Sequence, residues 1–239
     1  MDSECDDHHN ARIQRIYEPI EYDGGSKIIV FDIESGPLDE EILASQFVPK
    51  TKEEFVGAQR WKPETIEEKY SNYLVTALED FKRRAALDAT TGQVLAIGLK
   101  SEKGSMILDS LNEDHLLTQF WAKVASCEST GRSLVGHNVL GFDLPFLARR
   151  SWMRGIDFQM PRNCIKDTMK VWGCNCYGET ISLDRLAKAL GLPGKMEGVS
   201  GADFAKLWNG EAEEQELARR YLLTDLEVTW EVANRLGVM

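Results

Sequence analysis

The sequence predicts an α/β fold: a mixed β-sheet flanked by helices, with a helical insertion between the first two strands. Three observations lead there. Lys27–Ile33 is a short, nearly continuous apolar run rich in β-branched residues, Val94–Leu99 and Ser105–Leu108 read as a hairpin, and helical and strand periods alternate from residue 112 onward. At 239 residues and 43% apolar content the chain can bury a sizeable core, which excludes a disulfide-stapled miniprotein, a collagen-like fibre and a wholly disordered chain.

Residues 1–26 are polar, end near Gly24-Gly25 and show no sustained period, so they read as a flexible acidic tail preceding a single domain over 27–239. The run ending in Phe31-Asp32-Ile33-Glu34 suits a strand buried on both faces. About 55 residues then separate it from the next strand, too many for a hairpin loop, so the insertion at about 39–90 should carry its own structure. Pro63 fits the first turn of a helix, and Ile66, Tyr70, Tyr73, Leu74, Ala77, Leu78 and Phe81 fall on one face of it.

Asn112 suits the cap of a helix reaching about Glu128, with Leu116, Leu117, Phe120, Trp121 and Val124 spaced for burial. A strand at Ser133–Val135 ends in Gly136, a helix follows over Leu144–Trp152, and Cys164–Asp167 reads as a last short strand. Ser182 caps a helix stopped by Gly191, and the final helix runs from about Glu211 to Leu236.

The 39 acidic residues outweigh 28 Lys plus Arg, for a net charge of −11, which argues against coating nucleic acid by bulk attraction. An enzyme that handles a phosphodiester through bound metal remains compatible with that charge. Locally, Leu144–Lys195 holds nine basic and four acidic residues, a solvated surface or a phosphate-facing rim. No apolar run approaches the roughly 18 residues of a membrane span, and the first ten residues are acidic, so a cytoplasmic protein without a membrane partner is expected. Five cysteines, at 5, 127, 164, 174 and 176, are an odd number without a CxxC pair; reduced thiols are expected, and a four-ligand zinc site is not.

Three elements place carboxylates at the ends or edges of apolar segments. Asp32 and Glu34 lie two apart on a strand and so share a face; crowded there, they must either protonate or share a hard cation. Asp-x-Glu triplets also start at residues 2, 39 and 225, and only the one at Asp32 closes a buried strand. Asp143, in Gly136-His137-Asn138-Val139-Leu140-Gly141-Phe142-Asp143, sits at a helix start, where taken alone it reads as a cap. Tyr221 and Asp225 form an i, i+4 pair at the edge of a stripe made by Leu222, Leu226, Thr229, Ala233 and Leu236.

Taken in this order, the motifs resemble the DEDD superfamily of 3′–5′ exonucleases, whose fold is ribonuclease-H-like. The resemblance spans about residues 27–237 and rests on Asp32-x-Glu34, on Asn138 to Phe142-Asp143, and on Tyr221-x3-Asp225. The tyrosine points to the DEDDy branch; the alternative branch carries a histidine five residues before the last Asp, where this chain has Arg220. The helical arm and Ser182–Lys195 look like stand-alone exonucleases related to the proofreading domain of family B DNA polymerases.

The resemblance implies hydrolysis of single-stranded DNA, or of frayed 3′ ends, to nucleoside monophosphates with two Mg²⁺ or Mn²⁺ ions about 3.5 to 4 Å apart. Asp32 would bridge both ions, Glu34 and Asp225 would hold the one carrying the attacking water, and Asp143 would hold the second. Tyr221 would orient the water. Asn138, with Phe142 beside it, is a candidate for contacting the terminal nucleotide or holding the motif's turn; Arg60, Trp61 and Arg149 are candidates for lining a single-strand channel. A packing role for Trp61 competes with that reading. A DNA polymerase or repair complex is the partner class implied. Two further readings stay open: a 3′–5′ exoribonuclease, and a non-catalytic nucleic-acid-binding module of the same fold.

Overall fold

The computed structural model describes residues 27–176 and 178–238; the tail expected over 1–26 lies outside them. Strand β1 spans Ile28–Pro37, followed by three helices, α1 (Glu40–Gln46), α2 (Lys52–Val56) and α3 (Pro63–Ala85). Strands β2 (Gly92–Ser101) and β3 (Gly104–Asp109) form the hairpin, then come α4 (Glu113–Thr130), β4 (Ser133–Gly136), α5 (Asp143–Met153) and β5 (Ile165–Asp167). The chain closes with α6 (Thr168–Trp172), α7 (Leu183–Ala189), α8 (Gly201–Trp208) and α9 (Ala212–Arg235).

The five strands lie in the order β3-β2-β1-β4-β5. The β3-β2-β1 part is antiparallel, and β4 and β5 continue it in parallel. β1 does not end at Glu34 as its apolar run predicts: it continues to Pro37, because β2 pairs with it as far as Pro37↔Gly92 across an irregularity between Glu34 and Ser35. Asp32 and Glu34 are therefore interior strand residues.

The strand's alternation sorts its side chains between two layers. Ile29, Phe31 and Ile33 pack with Leu116, Phe120 and Leu147 of α4 and α5. On the opposite face Ile28 and Val30 pack with Leu226, Trp230 and Ala233 of α9. Asp32 and Glu34 continue this second set, so both carboxylates project toward α9. Gly98 of β2, paired with Asp32, lets α9 lie against the sheet there: a Cβ on it would come within 2.8 Å of Leu226 Cδ1.

Two helices were not legible in the periodicity, α6 and α8. The second opens with a capping box of Ser200 and Asp203, and buries Phe204 and Trp208. In the insertion, Pro63 does occupy the start of α3, but Leu74, assigned to its buried face, is 45% exposed. The short helices α1 and α2 are too small to cover it. Phe55 of α2 instead packs against Trp61 and against Tyr70 and Tyr73 of α3.

Arg150 departs from the phosphate-rim reading of the basic segment. It is buried, its guanidinium donates to both oxygens of Glu113 at 2.8 and 2.6 Å, and it also donates to Ala89 O at 2.9 Å. Glu113 in turn accepts from Val94 N at 2.8 Å. A charge that the sequence places on the surface thus ties α4 and α5 to the start of β2, and removing one partner would strand the other inside. Among the described residues no helix is long and apolar enough to cross a membrane.

Candidate active site

Asp32, Glu34 and Asp225 each offer an oxygen to one cluster whose ligand atoms all lie within 4.8 Å of one another. β1 supplies the first two from its α9 face. α9 supplies Asp225, held deep by the buried Leu222 and Leu226 around it. Tyr221, one turn earlier, is also buried rather than at the edge of the stripe. Its ring meets Phe204 at 6.3 Å, which is how α8 fixes it.

Asp143 stands apart from that cluster. Parallel pairing of β1 with β4 covers only Ile28↔Ser133 to Val30↔Val135, so the two strands part beyond Val30. In the gap Ile33 N donates to Asp143 Oδ1 at 3.1 Å. The first residue of α5 thereby replaces the missing strand neighbour, and its carboxylate reaches the strand between Asp32 and Glu34 from the other layer.

Burying these acids together opposes their ionisation. Burial, reinforced by Asp143 and Asp225, pushes Asp32 well above the usual carboxylate range. Burial and then Asp32 do the same to Glu34, and Asp143 is pushed up to about 7, mainly by burial. For Asp225 burial again outweighs the lowering by Lys195.

Lys195 is the site residue that sequence reasoning missed, counting it only among the basic residues of a rim. It follows Gly194 in the loop between α7 and α8, and no local pattern foretells where that loop lands. Its ammonium forms an ion pair with Asp225 Oδ2 and donates to Tyr221 Oη at 3.0 Å. Burial alone would lower the lysine, but Asp225 and Tyr221 together hold it above its ordinary value. One cation cannot balance four acids. Among the described residues Asp225 Oδ1 is the buried side-chain oxygen that no donor reaches. An all-oxygen donor set with an orphaned acceptor fits a hard divalent cation.

The other candidates are not gathered at this cluster. Asn138 has a left-handed backbone (φ 62°), and its Oδ1 lies where a Cβ on Gly141 would stand, 2.3 Å away. Its amide side chain thus packs over the loop's own turn. Phe142 packs on Phe146 at 5.5 Å. Arg149 is exposed, and its charge is felt by Asp88 in the turn before β2. Arg60 is exposed at the root of the arm; Trp61 is half-buried there, 6.0 Å from Phe55 and with Lys69 Nζ 5.0 Å above its ring.

Comparison with known proteins bears on the fold these residues share. A family model of the RNase H superfamily matches residues 85–236, more than half of the chain. The chain belongs to the RNase H superfamily. In this RNase H superfamily chain the matched span includes Asp143, Tyr221 and Asp225, while Asp32 and Glu34 precede it on β1. Among solved structures, a family B DNA polymerase from the hyperthermophilic archaeon Pyrobaculum calidifontis is similar to it at 17% identity and a TM-score of 0.56. The likeness covers 88% of this chain and 24% of the polymerase, and at that identity it concerns the fold. A search of curated proteins returned no significant match. The RNase H-like mixed sheet with flanking helices matches the fold class expected from the sequence.

Proposed function

We propose that the protein is a metal-dependent 3′–5′ exonuclease that removes nucleoside monophosphates from single-stranded or frayed DNA ends. The observation that carries this reading is the buried cluster of Asp32, Glu34 and Asp225, whose Asp225 Oδ1 has no donor. The likeness to part of a DNA polymerase supports DNA as substrate, and a polymerase or repair complex as the partner that presents it; a cytoplasmic location is proposed on the acidic, span-free sequence alone.

Asp32, Glu34 and Asp225 would hold one Mg²⁺ or Mn²⁺, and Asp143 with Asp32 a second. Bound there, divalent cations supply charge neutralisation of the scissile phosphate and an acidified water. The chain's own groups do the positioning. Tyr221, pushed up to about 12 chiefly by burial and then by Asp225, keeps its proton at neutral pH. It therefore serves as a hydrogen-bonding guide for the attacking water, not as a base. Lys195 holds the phenol and Asp225 in register and brings a positive charge to a site that must accept an anion.

Tyr221→Phe keeps the ring packed on Phe204 and removes only the hydroxyl. Turnover should fall about tenfold with substrate affinity within about twofold, the pattern of an interaction made mainly in the transition state. An unchanged single-turnover rate would remove the water-guiding role. Arg60 and Trp61 are proposed to line the strand's approach from the arm. Trp61→Ala should weaken single-strand affinity several-fold, in line with about 1 kcal/mol or more for a base stacked on an aromatic ring. Unchanged binding would make its packing against Phe55 its whole role.

The direct test of substrate class uses DNA and RNA of one sequence, each labelled at the 5′ end and carrying a single-stranded 3′ tail. With Mg²⁺ or Mn²⁺ the DNA should give a ladder shortening from its 3′ end, and chelator should stop it. A ladder on RNA alone would reassign the substrate, and binding without cleavage would leave a nucleic-acid-binding module.

A further inference from the structure

The loop between β4 and α5 carries Asn138 and delivers Asp143, yet it is not regular structure and contains a strained residue. β4 ends at Gly136, where a Cβ would sit 2.1 Å from Val139 Cγ1, so the chain turns back on itself at once. Asn138 then adopts its left-handed backbone, which most residues avoid. The turn has bonds of its own, Gly141 N and Phe142 N both donating to Asn138 O at 2.9 Å, and outside groups fix where it sits.

The enforcing groups come from a different strand. Asp167, the last residue of β5, is 3% exposed and uses both carboxylate oxygens on backbone N–H groups. Asn138 N donates to its Oδ1 at 2.9 Å and Leu140 N to its Oδ2 at 3.0 Å, while Met169 N, in the first turn of α6, also donates to Oδ1 at 2.9 Å. Thr168 takes the other side of the loop: its Oγ1 donates to Gly136 O at 3.1 Å and lies 3.0 Å from His137 Nδ1. His137 Nε2 carries the proton of its 2.8 Å bond to Ile181 O, so Nδ1 is unprotonated and the single Thr168 hydroxyl proton is shared between Gly136 O and Nδ1. Two adjacent residues therefore bind the loop at 136, 137, 138 and 140.

Asp167 already commits both oxygens to backbone N–H groups, and the proposed chemistry has no use for it. This buried carboxylate accepts from two N–H groups of the loop and one of α6, and so ties the loop to the start of that helix. What it holds in place is an exposed crest, with Leu140 44% exposed, on the segment between Asn138 and Asp143. On the exonuclease reading, we propose that Asp167 and Thr168 are positioning residues that preset the Asn138–Asp143 loop to receive the terminal nucleotide. Without them the loop must be ordered by the substrate, and that ordering reduces affinity for the 3′ end while Asp32, Glu34 and Asp225 keep their geometry.

The test compares wild-type protein, Asp167→Asn and Thr168→Val on a 5′-labelled single strand, with KM, kcat, Mn²⁺ affinity and thermal stability measured for each. Asparagine keeps one acceptor but sets an N–H₂ group against one of the loop's N–H donors, so KM should rise about tenfold, as expected for a lost charge-assisted hydrogen bond. kcat should stay within about threefold and Mn²⁺ affinity within about twofold, since only the substrate's ordering cost changes. Thr168→Val, which removes no charge, should raise KM by about threefold for the loss of a neutral hydrogen bond. A folded Asp167→Asn protein with unchanged KM overturns the proposal, as does one that loses kcat and Mn²⁺ affinity at unchanged KM. If Asp167→Asn does not fold, an unchanged KM in Thr168→Val overturns it. A wild-type protein that cleaves nothing overturns the exonuclease reading, and this proposal with it.

Discussion

Asp32→Ala should leave a folded protein whose metal-dependent nucleotide release is slower by at least about a thousandfold, roughly 4 kcal/mol of lost transition-state stabilisation. The size follows from position. Asp32 lies between the two places where cations would bind, adjoining Glu34 and Asp225 on one side and Asp143 on the other. Its loss would unmake both sites, whereas loss of Tyr221 or Lys195 would leave the ligands in place. The fold should not suffer. In the metal-free protein Asp32 is held against burial and against two like charges, so its removal relieves repulsion instead of breaking a contact. Thermal unfolding of the variant without metal should occur at or above the wild-type temperature; a clear drop would mean that Asp32 supports the structure in some other way. A variant that cleaves at the wild-type rate would defeat the assignment.

The second large effect is that of divalent metal on stability, and its pH dependence can be given a sign. Asp143 has its carboxyl pushed up to about 7 from the ordinary 3.8, and Asp32 and Glu34 are raised as well. A raised carboxylate contributes stability below its unfolded value, and that contribution is lost as pH climbs through the folded value. Without metal, stability should therefore decline between about pH 4 and pH 7 through Asp143, and Asp32 and Glu34 act in the same direction. Metal requires the ionised form, so its affinity should grow across the same interval. Near pH 8, Mn²⁺ at about a hundred times its dissociation constant should add roughly 2.7 kcal/mol, or about 5 to 10 °C in Tm for a domain of this size. Near pH 5 the same addition should move Tm by less than about 2 °C, because Asp143 is then protonated and burial favours the protonated forms of Asp32 and Glu34. A metal shift of equal size at both values would place the bound ion elsewhere.

Much of the site was legible because its residues sit on periodic elements. Asp32 and Glu34 share a strand face, Tyr221 and Asp225 a helix face, and the sheet and α9 need only stack for the four to meet. The length of β1 was not legible, since Ser35, Gly36 and Pro37 are poor strand formers held by pairing with β2. Lys195 and Asp167 escaped for a common reason. Each acts through a tertiary contact, Lys195 from a loop by an ion pair 30 residues down the chain, Asp167 from the end of β5 by hydrogen bonds to a loop about 30 residues up it. Charge counting misled in the same region: of the nine basic residues between Leu144 and Lys195, Arg150 is spent inside on Glu113 and Lys195 on Asp225, while Arg154 pairs with Asp114 and Lys188 with Asp184 nearer the surface. α8 was not read from the periodicity, although Ser200-x-x-Asp203 followed by Phe204 and Trp208 is a helix-start signal.

The proposed chemistry depends most on Asp225, whose Oδ1 is buried without a donor and whose Oδ2 is shared with Lys195. The decisive measurement is 3′ shortening of a 5′-labelled single-stranded DNA in Mn²⁺ by wild-type and Asp225→Asn proteins purified side by side. A ladder retreating from the 3′ end in the wild type, absent in the variant and absent with chelator, is the predicted result; equal ladders from both proteins, or shortening that persists in chelator, would contradict it.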